Sequence, residues 1–237
     1  MRARLAALLA LAALPASVDA QEPLEVPGHR AAVFVAADGG GARALVVALH
    51  GNFDRPEWAC AAWDRIVRRR AFLLCPRGEP RADAPGLDRW QLPLAGPLAR
   101  EIAAARRALA ARHPGALDEG PDVYVGFSQG AHRIARFALT TPARYPRVQL
   151  VEGGDALWSG PGAAARPGAR VAFVCATAWC ARRGRGAVAA LARGGAEARL
   201  ERRPGAHHEL DVMEPAIRET FEWRVRDDAR FAPPGGR

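Results

Sequence analysis

The chain of 237 residues contains no lysine, and all 34 of its basic residues are arginine. These arginines produce a formal net charge of +9, but they are scattered among many alanine, glycine and proline residues. The short basic tracts are not accompanied by the aromatic or zinc-knuckle patterns of nucleic-acid-binding proteins. We therefore attribute the positive charge to an amino-acid bias towards arginine and expect no nucleic-acid partner. The interior of the chain also has no stretch of 18 uncharged apolar residues, which excludes a protein with several membrane spans.

The composition is that of a globular protein. Hydrophobic residues make up 49% of the chain and charged residues 25%, which excludes a disordered protein. Only four cysteines are present, too few for a disulfide-dense miniprotein. The length suits a single domain, which we place at residues 21–237.

The first twenty residues have the features of an export signal. Arg2 and Arg4 form a short positive region, and an unbroken run of ten alanines and leucines follows at Leu5–Leu14. Small residues at the −3 and −1 positions predict cleavage between Ala20 and Gln21. The run is too short to span a bilayer, so we expect a secreted or periplasmic protein without a stable membrane anchor.

Export would place the four cysteines in an oxidising compartment, where disulfides form. Cys60 precedes a predicted strand that ends at Cys75, while Cys175 ends a later strand and Cys180 lies in the loop that follows it. If the two strands are far apart in the sheet, only the pairs Cys60–Cys75 and Cys175–Cys180 come within disulfide distance. The C-x4-C spacing could also be half of a metal site. No second ligand pair in the sequence is spaced to complete such a site, so we expect no metal.

Apolar runs alternate with stretches of helical spacing along the mature chain. The predicted strands are Ala31–Val35, Ala44–Leu49, Ala71–Cys75, Val123–Phe127, Val148–Val151, Val171–Cys175 and Ala198–Glu201. The predicted helices are Glu57–Arg69, Pro97–His113, Gln129–Thr140, Gly186–Arg193 and Val212–Arg226. This alternation predicts an α/β fold, a three-layer sandwich with a mostly parallel central sheet. Two Pro/Gly-rich stretches are predicted loops, Ser159–Gly168 and Glu79–Pro97, the second long enough to act as a lid or binding loop.

A turn between a strand and a helix carries the strongest chemical signal. Gly126-Phe127-Ser128-Gln129-Gly130 follows the apolar run Asp122–Val125 and opens a helix. The pattern G-x-S-x-G is weak by itself, but this position lifts the Ser128 hydroxyl over the carboxyl edge of the sheet. Ser128 is therefore the predicted nucleophile, and the alternative is a capping serine in a tight turn.

A second segment agrees with this interpretation. The strand Leu45–Leu49 runs into His50-Gly51, and the loop that follows contains Asn52 and Phe53. We expect this loop to supply one backbone amide of an oxyanion hole, and Gln129, directly after the nucleophile, to supply the other. His50 itself is expected to have a structural role in the loop.

The order of these segments resembles the α/β-hydrolase superfamily. Gly126–Gly130 is most similar to the carboxylesterase/phospholipase and acyl-protein thioesterase branch. The resemblance implies serine hydrolysis of a small-molecule ester or thioester without a cofactor. It also implies a catalytic histidine after the last strand, where the family pattern Gly-x-Gly-His, aligned with the Gly-Ala-His-His that begins at Gly205, selects His208. A shift of one residue would select His207.

The catalytic acid is where this sequence departs from the superfamily. The resemblance implies an aspartate after the penultimate strand, but the corresponding loop, Cys175–Ala181, contains no carboxylate. Some lipases of the superfamily hold the acid one strand earlier. Asp155 matches that placement, and Glu152 lies nearer the end of the strand. The alternative for Asp155 is a loop residue that bonds to the backbone.

Two functions therefore stay open. The first is an exported serine esterase that uses Ser128, His208 and Asp155. The second is an exported hydrolase-like domain that has lost turnover and binds a ligand or a partner. The serine turn and the oxyanion loop favour the enzyme, because a degenerate copy does not need a strained nucleophile turn.

Overall fold

The computed structural model describes residues 20–141, 144–158, 167–204 and 209–232. The predicted export signal lies outside these ranges except for its last residue, as does most of the predicted loop Ser159–Gly168. Both candidate histidines, His207 and His208, also lie outside them. The central sheet and the predicted nucleophile lie within the described ranges.

An eight-stranded sheet forms the centre of the protein. Its strands are β1 (Gln21–Leu24), β2 (Ala32–Val35), β3 (Leu45–Leu49), β4 (Phe72–Cys75), β7 (Val123–Phe127), β8 (Arg147–Val151), β9 (Arg170–Cys175) and β10 (Glu197–Arg202). Across the sheet they lie in the order β1-β2-β4-β3-β7-β8-β9-β10. The first two strands pair antiparallel, as do β2 and β4. Every other neighbouring pair is parallel. The predicted mostly parallel sheet is confirmed.

In the described parts of the chain, six α-helices pack on the two faces of this sheet. They are α1 (Pro56–Val67), α2 (Ala95–Arg112), α3 (Gln129–Thr140), α4 (Asp155–Trp158), α5 (Ala178–Arg193) and α6 (Leu210–Val225). On β3, Leu45, Val47 and Leu49 pack in the apolar cluster that includes α2, α3 and α5. Val46 and Ala48 pack in the opposite cluster with α1 and α6. Alternate residues of a strand face opposite sides, so a strand buried on both faces is apolar throughout.

The chain order reverses beside β3, and this reversal places the site. From β3 the chain crosses to β4 on one side and later returns to β7 on the other. The loops that leave β3 and β7 therefore diverge and open a crevice at the carboxyl ends of the strands. In open α/β sheets ligands bind at such a switch point. The loop after β3 carries His50-Gly51, and the turn after β7 carries Ser128.

Three elements were not predicted from the sequence. The edge strand β1 begins at Gln21, directly after the predicted cleavage site. The predicted loop Glu79–Pro97 contains a short hairpin, β5 (Glu79–Pro80) and β6 (Trp90–Gln91). The short helix α4 occupies Asp155–Trp158. Each of these segments has only two to four residues, too few to show a periodicity in the sequence.

The prediction for Cys180 was wrong in one respect. We placed it in a loop before a helix at Gly186, but α5 begins at Ala178, so Cys180 lies in its first turn. Thr177 caps this helix, because its hydroxyl accepts a hydrogen bond of 3.1 Å from the Cys180 amide. A threonine that precedes such a segment is an N-cap signal, and it marks the start of α5 in the sequence. Within the described residues, no helix combines the length and apolarity that a membrane crossing requires.

Candidate active site

The turn that contains the predicted nucleophile, Ser128, is called the nucleophile turn below. It has the strained backbone that its sequence predicts. Ser128 connects β7 to α3 with φ 50° and ψ −110°, a conformation that residues other than glycine rarely adopt. A Cβ on Gly126 would lie 2.6 Å from Ile134, and one on Gly130 would lie 2.2 Å from the Leu49 carbonyl oxygen. Both positions therefore require glycine. The Ser128 amide donates to the Val151 carbonyl at 2.8 Å, which ties the turn to β8.

Ser128 lies in the wall of a cavity of about 500 Å³. The apolar part of the lining includes Trp58, Trp63, Phe127 and Leu210. The first two of these residues belong to α1, and Leu210 begins α6. A cavity of this volume and lining accommodates a small organic molecule next to the serine hydroxyl.

The loop after β3 forms the other side of the cavity. His50 is fully buried, with Nδ1 2.7 Å from the Gly51 carbonyl oxygen and Nε2 3.0 Å from the Arg77 carbonyl oxygen. Its ring thus braces the loop, in line with the structural role predicted for it. Asn52 lines the cavity together with Ser128. Gln129 is the first residue of α3, so its amide has no acceptor within the helix and is available to a ligand.

The Phe53 amide is already used in the described structure. It donates to the Trp90 carbonyl at 3.0 Å, and the Trp90 amide in turn donates to Asp54 at 3.0 Å. This exchange attaches the hairpin to the loop, and it removes Phe53 from the candidate oxyanion donors. Asn52 remains as the backbone donor from this loop. The hairpin also reaches the nucleophile turn, because the Leu92 amide donates to the Gln129 side chain at 2.7 Å.

The described residues that flank the candidate histidines lie at the same edge of the sheet. The Arg203 amide donates to the Cys175 carbonyl at 2.9 Å, so the chain beyond β10 passes the carboxyl end of β9. On the far side of His207 and His208, Leu210 and Asp211 line the cavity that contains Ser128. The flank after the histidines is therefore close to Ser128, and the flank before them lies at the carboxyl end of β9.

The two candidate acids have different partners. Asp155 is 2% exposed and forms an ion pair with Arg183, whose Nε lies 3.0 Å from the Asp155 Oδ2. Burial raises the pKa of the Asp155 carboxyl, and the Arg183 charge opposes that rise. Arg183 itself lies against the Trp179 ring, 4.0 Å from its centroid. The Asp155 carboxylate is thus directed towards α5.

Glu152 lies directly at the carboxyl end of β8. It has φ 53°, and its carboxylate accepts a hydrogen bond from the Ala176 amide beyond β9. The Glu152 amide donates to the Val174 carbonyl at 2.9 Å. The next residue packs on the nucleophile turn, since a Cβ on Gly153 would lie 2.7 Å from the Ser128 carbonyl oxygen. Glu152 therefore lies at the carboxyl edge of the sheet, between the ends of β7 and β9.

Both predicted disulfides are present. Cys60–Cys75 links α1 to β4 with a Cα–Cα distance of 5.8 Å, and Cys175–Cys180 links β9 to α5 with a distance of 5.5 Å. Ligand atoms of Glu152, Cys175 and Cys180 lie within 4.8 Å of one another. The two sulfurs are bonded to each other and are not thiolates, so this group does not form a metal site. The second disulfide instead packs beside the Glu152 carboxylate.

Comparison with solved structures places the chain among α/β hydrolases in fold. The substrate-bound fluorophosphonate-binding serine hydrolase F of Staphylococcus aureus has a TM-score of 0.62 and 12% identity, over 87% of this chain and 98% of that chain. Dienelactone hydrolase from Anabaena variabilis has a TM-score of 0.60 and 16% identity, over 86% and 95% respectively. The carboxylesterase from Mesorhizobium loti has a TM-score of 0.55 and 21% identity, over 81% of this chain and 93% of that chain. No protein-family model and no curated protein matches the chain. The predicted α/β-hydrolase fold is confirmed.

Proposed function

We propose that this protein is a serine hydrolase that cleaves small carboxylic esters or thioesters through an acyl-enzyme on Ser128. The observation that carries the proposal is the strained Ser128 turn at the carboxyl edge of the sheet, which opens into a cavity of about 500 Å³. Backbone strain of this kind costs on the order of 1–3 kcal/mol and persists where function requires it. A binding domain without turnover has no use for it, and no observation favours that alternative.

We assign the general base to His208, with His207 as the alternative, and the acid to Glu152. Asp155, the acid favoured by the sequence, is engaged by Arg183 on α5. Glu152 lies at the end of β8, beside the nucleophile turn, and its carboxylate accepts a hydrogen bond from the Ala176 amide after β9. The Arg203 amide, which precedes the histidines, bonds to the neighbouring Cys175 carbonyl. A buried carboxylate in that place orients the imidazole and stabilises its protonated form.

The proposed reaction has two halves. The Ser128 hydroxyl attacks the carbonyl carbon while the histidine accepts its proton, and the tetrahedral oxyanion is stabilised by the Asn52 and Gln129 amides. The intermediate then expels the alcohol or thiol, which receives the proton. Water repeats the sequence on the acyl-enzyme, releases the acid and regenerates Ser128. Every proton transfer uses the histidine, so no cofactor is required.

The names of the structural neighbours are consistent with this chemistry. They include carboxylesterases, a dienelactone hydrolase and a serine hydrolase that binds fluorophosphonates. We therefore expect the protein to hydrolyse p-nitrophenyl acetate and to react stoichiometrically with a fluorophosphonate probe. Mass spectrometry of the digested adduct should locate the probe on the peptide that contains Ser128. Hydrolysis without labelling of that peptide would contradict the proposal.

We further propose that residues 1–20 direct export and are removed. The support is the positive region and apolar run of the sequence, together with two disulfides, which are typical of oxidising compartments. Mass spectrometry of the protein recovered outside the cytoplasm should show an N-terminus at Gln21 and no free thiol. Four alkylatable thiols in native protein would contradict this expectation.

The Cys175–Cys180 disulfide is expected to support the proposed acid. It holds the backbone beside the Ala176 amide, which donates to Glu152. The double variant Cys175→Ser/Cys180→Ser should therefore lower kcat by about tenfold to a hundredfold, because small misplacements of catalytic groups have large effects. The double variant Cys60→Ser/Cys75→Ser is the control, and it should lose stability by about 2–4 kcal/mol while it retains kcat well below its melting temperature. Equal losses of kcat in both variants would show that only stability is affected.

A further inference from the structure

The side chain of Asn52 makes a contact that the proposed mechanism does not use. Asn52 follows His50-Gly51 and lines the cavity together with Ser128. Its Oδ1 accepts a hydrogen bond from Arg81 Nη1 at 2.6 Å. Arg81 lies in the segment between β5 and β6, so this bond joins the hairpin to the oxyanion loop.

Arg81 is itself held in a fixed orientation. Its Nε donates to Asp83 at 2.7 Å, and its Nη2 donates to the second oxygen of the same carboxylate. The guanidinium also lies over the Phe53 ring, 5.9 Å from the centroid. The two Asp83 bonds occupy one side of the planar guanidinium and leave Nη1 for Asn52. The guanidinium is therefore preorganised to bind one acceptor in one place.

This arrangement determines which way the Asn52 amide faces. A guanidinium can only donate hydrogen bonds, so the atom of Asn52 that faces Arg81 must be the oxygen. The NH₂ group, Nδ2, then faces away from Arg81 with both of its hydrogens available for another acceptor.

We propose that Asn52 Nδ2 is a third oxyanion donor, oriented by Arg81, which acts as a positioning residue. This inference rests on the proposed function, because it places the donor on the carbonyl oxygen of an ester bound at Ser128. The backbone of the same loop is fixed by the Phe53–Trp90 and Trp90–Asp54 hydrogen bonds. Backbone and side chain of Asn52 are thus both held by the hairpin before a substrate binds, as electrostatic stabilisation of a transition state requires.

The substitution Asn52→Asp separates this role from a merely structural one. The carboxylate still accepts the bond from Arg81, but it replaces the NH₂ donor by a second acceptor. With p-nitrophenyl acetate, we expect kcat to fall by about 10²-fold or more, since one donor of this kind contributes about 10²–10³ in kcat. KM should change by less than about threefold, because the bond strengthens only as the oxyanion develops. The loss should equal or exceed that of Asn52→Ala.

A purely structural role of Asn52 predicts the opposite order. Asn52→Asp would then keep wild-type kcat, because it preserves the bond to Arg81, and Asn52→Ala would be the damaged variant. That result would overturn the inference. A rise in the KM of Asn52→Asp with no change in its kcat would overturn it as well. Thermal melting of each variant shows whether it is folded.

Arg81 supplies a second, independent test. Arg81→Ala should lower kcat by about tenfold because the Asn52 amide loses its orientation, and Arg81→Lys should restore part of the loss. The matched control is Arg89→Ala. Arg89 also lies over the Phe53 ring, at 5.6 Å, but its Nη1 donates to the Asp88 carbonyl. Equal losses in the two alanine variants would assign the effect to the ring contact and overturn the role of Arg81.

The outcome can be distinguished from failure of the proposed function itself. If wild-type protein neither hydrolyses p-nitrophenyl acetate nor reacts with a fluorophosphonate, the proposed function fails. If the wild type does both, only the Asn52 and Arg81 variants decide the inference. Asn52→Asp should then still be labelled to completion at Ser128, but at a rate reduced in parallel with kcat, because the phosphonyl oxygen occupies the same donors.

Discussion

Replacement of Ser128 by alanine should abolish ester hydrolysis without unfolding the protein. The variant removes the proposed nucleophilic oxygen and keeps a Cβ at Ser128, whose φ is 50°. We expect kcat to fall by about four orders of magnitude or more, since the remaining groups cannot form an acyl-enzyme. The measurement is initial rates with p-nitrophenyl acetate, at enzyme concentrations that detect residual turnover.

Thr140→Ala is a suitable control for this experiment. It removes a hydroxyl at the opposite end of α3, where Thr140 Oγ1 donates to the Phe137 carbonyl at 3.0 Å. This variant should retain wild-type kcat and fluorophosphonate labelling, while Ser128→Ala loses both. If Ser128→Ala kept most of its activity at an unchanged melting temperature, Ser128 would not be the nucleophile.

The second large effect is expected at Glu152. In Glu152→Gln the side-chain oxygen can still accept from the Ala176 amide, so the geometry is kept and the charge is removed. We expect kcat to fall by about 10²–10⁴-fold, because the imidazolium that forms in the transition state loses its anionic partner. Without that anion the pKa of the histidine falls, so the acidic limb of the kcat/KM profile should move to lower pH.

Asp155→Asn provides the comparison for Glu152. This variant leaves the Arg183 guanidinium without its carboxylate, and Arg183 retains 30% side-chain exposure, so part of the loss is compensated by water. We expect a loss of about 1–3 kcal/mol in the free energy of unfolding and a modest loss of kcat, with the pH profile unmoved. The opposite order of effects, with the pH shift in Asp155→Asn, would make Asp155 the acid.

Much of the fold was predictable because its signals are local. Near-continuous apolar strands and intervening helical periodicity identify a mostly parallel sheet covered on both faces, and the structure has this sheet. The short edge strand β1 and the hairpin β5–β6 were missed. Each is stabilised by pairing with a partner strand, and two to four residues carry too little periodicity to reveal it.

The sequence by itself determined the position of the strained turn at Ser128 and the two disulfides. In each case the interacting groups are close along the chain: two glycines flank Ser128, and the paired cysteines are 15 and 5 residues apart. Only the tertiary structure decided which backbone amide of the oxyanion loop is occupied and which candidate acid is engaged elsewhere. Those outcomes depend on Trp90 and Arg183, which reach Phe53 and Asp155 only because the hairpin and α5 pack against the carboxyl edge of the sheet. Local backbone strain is encoded within a few residues, whereas the pairing of buried polar groups is decided by the packing of distant elements.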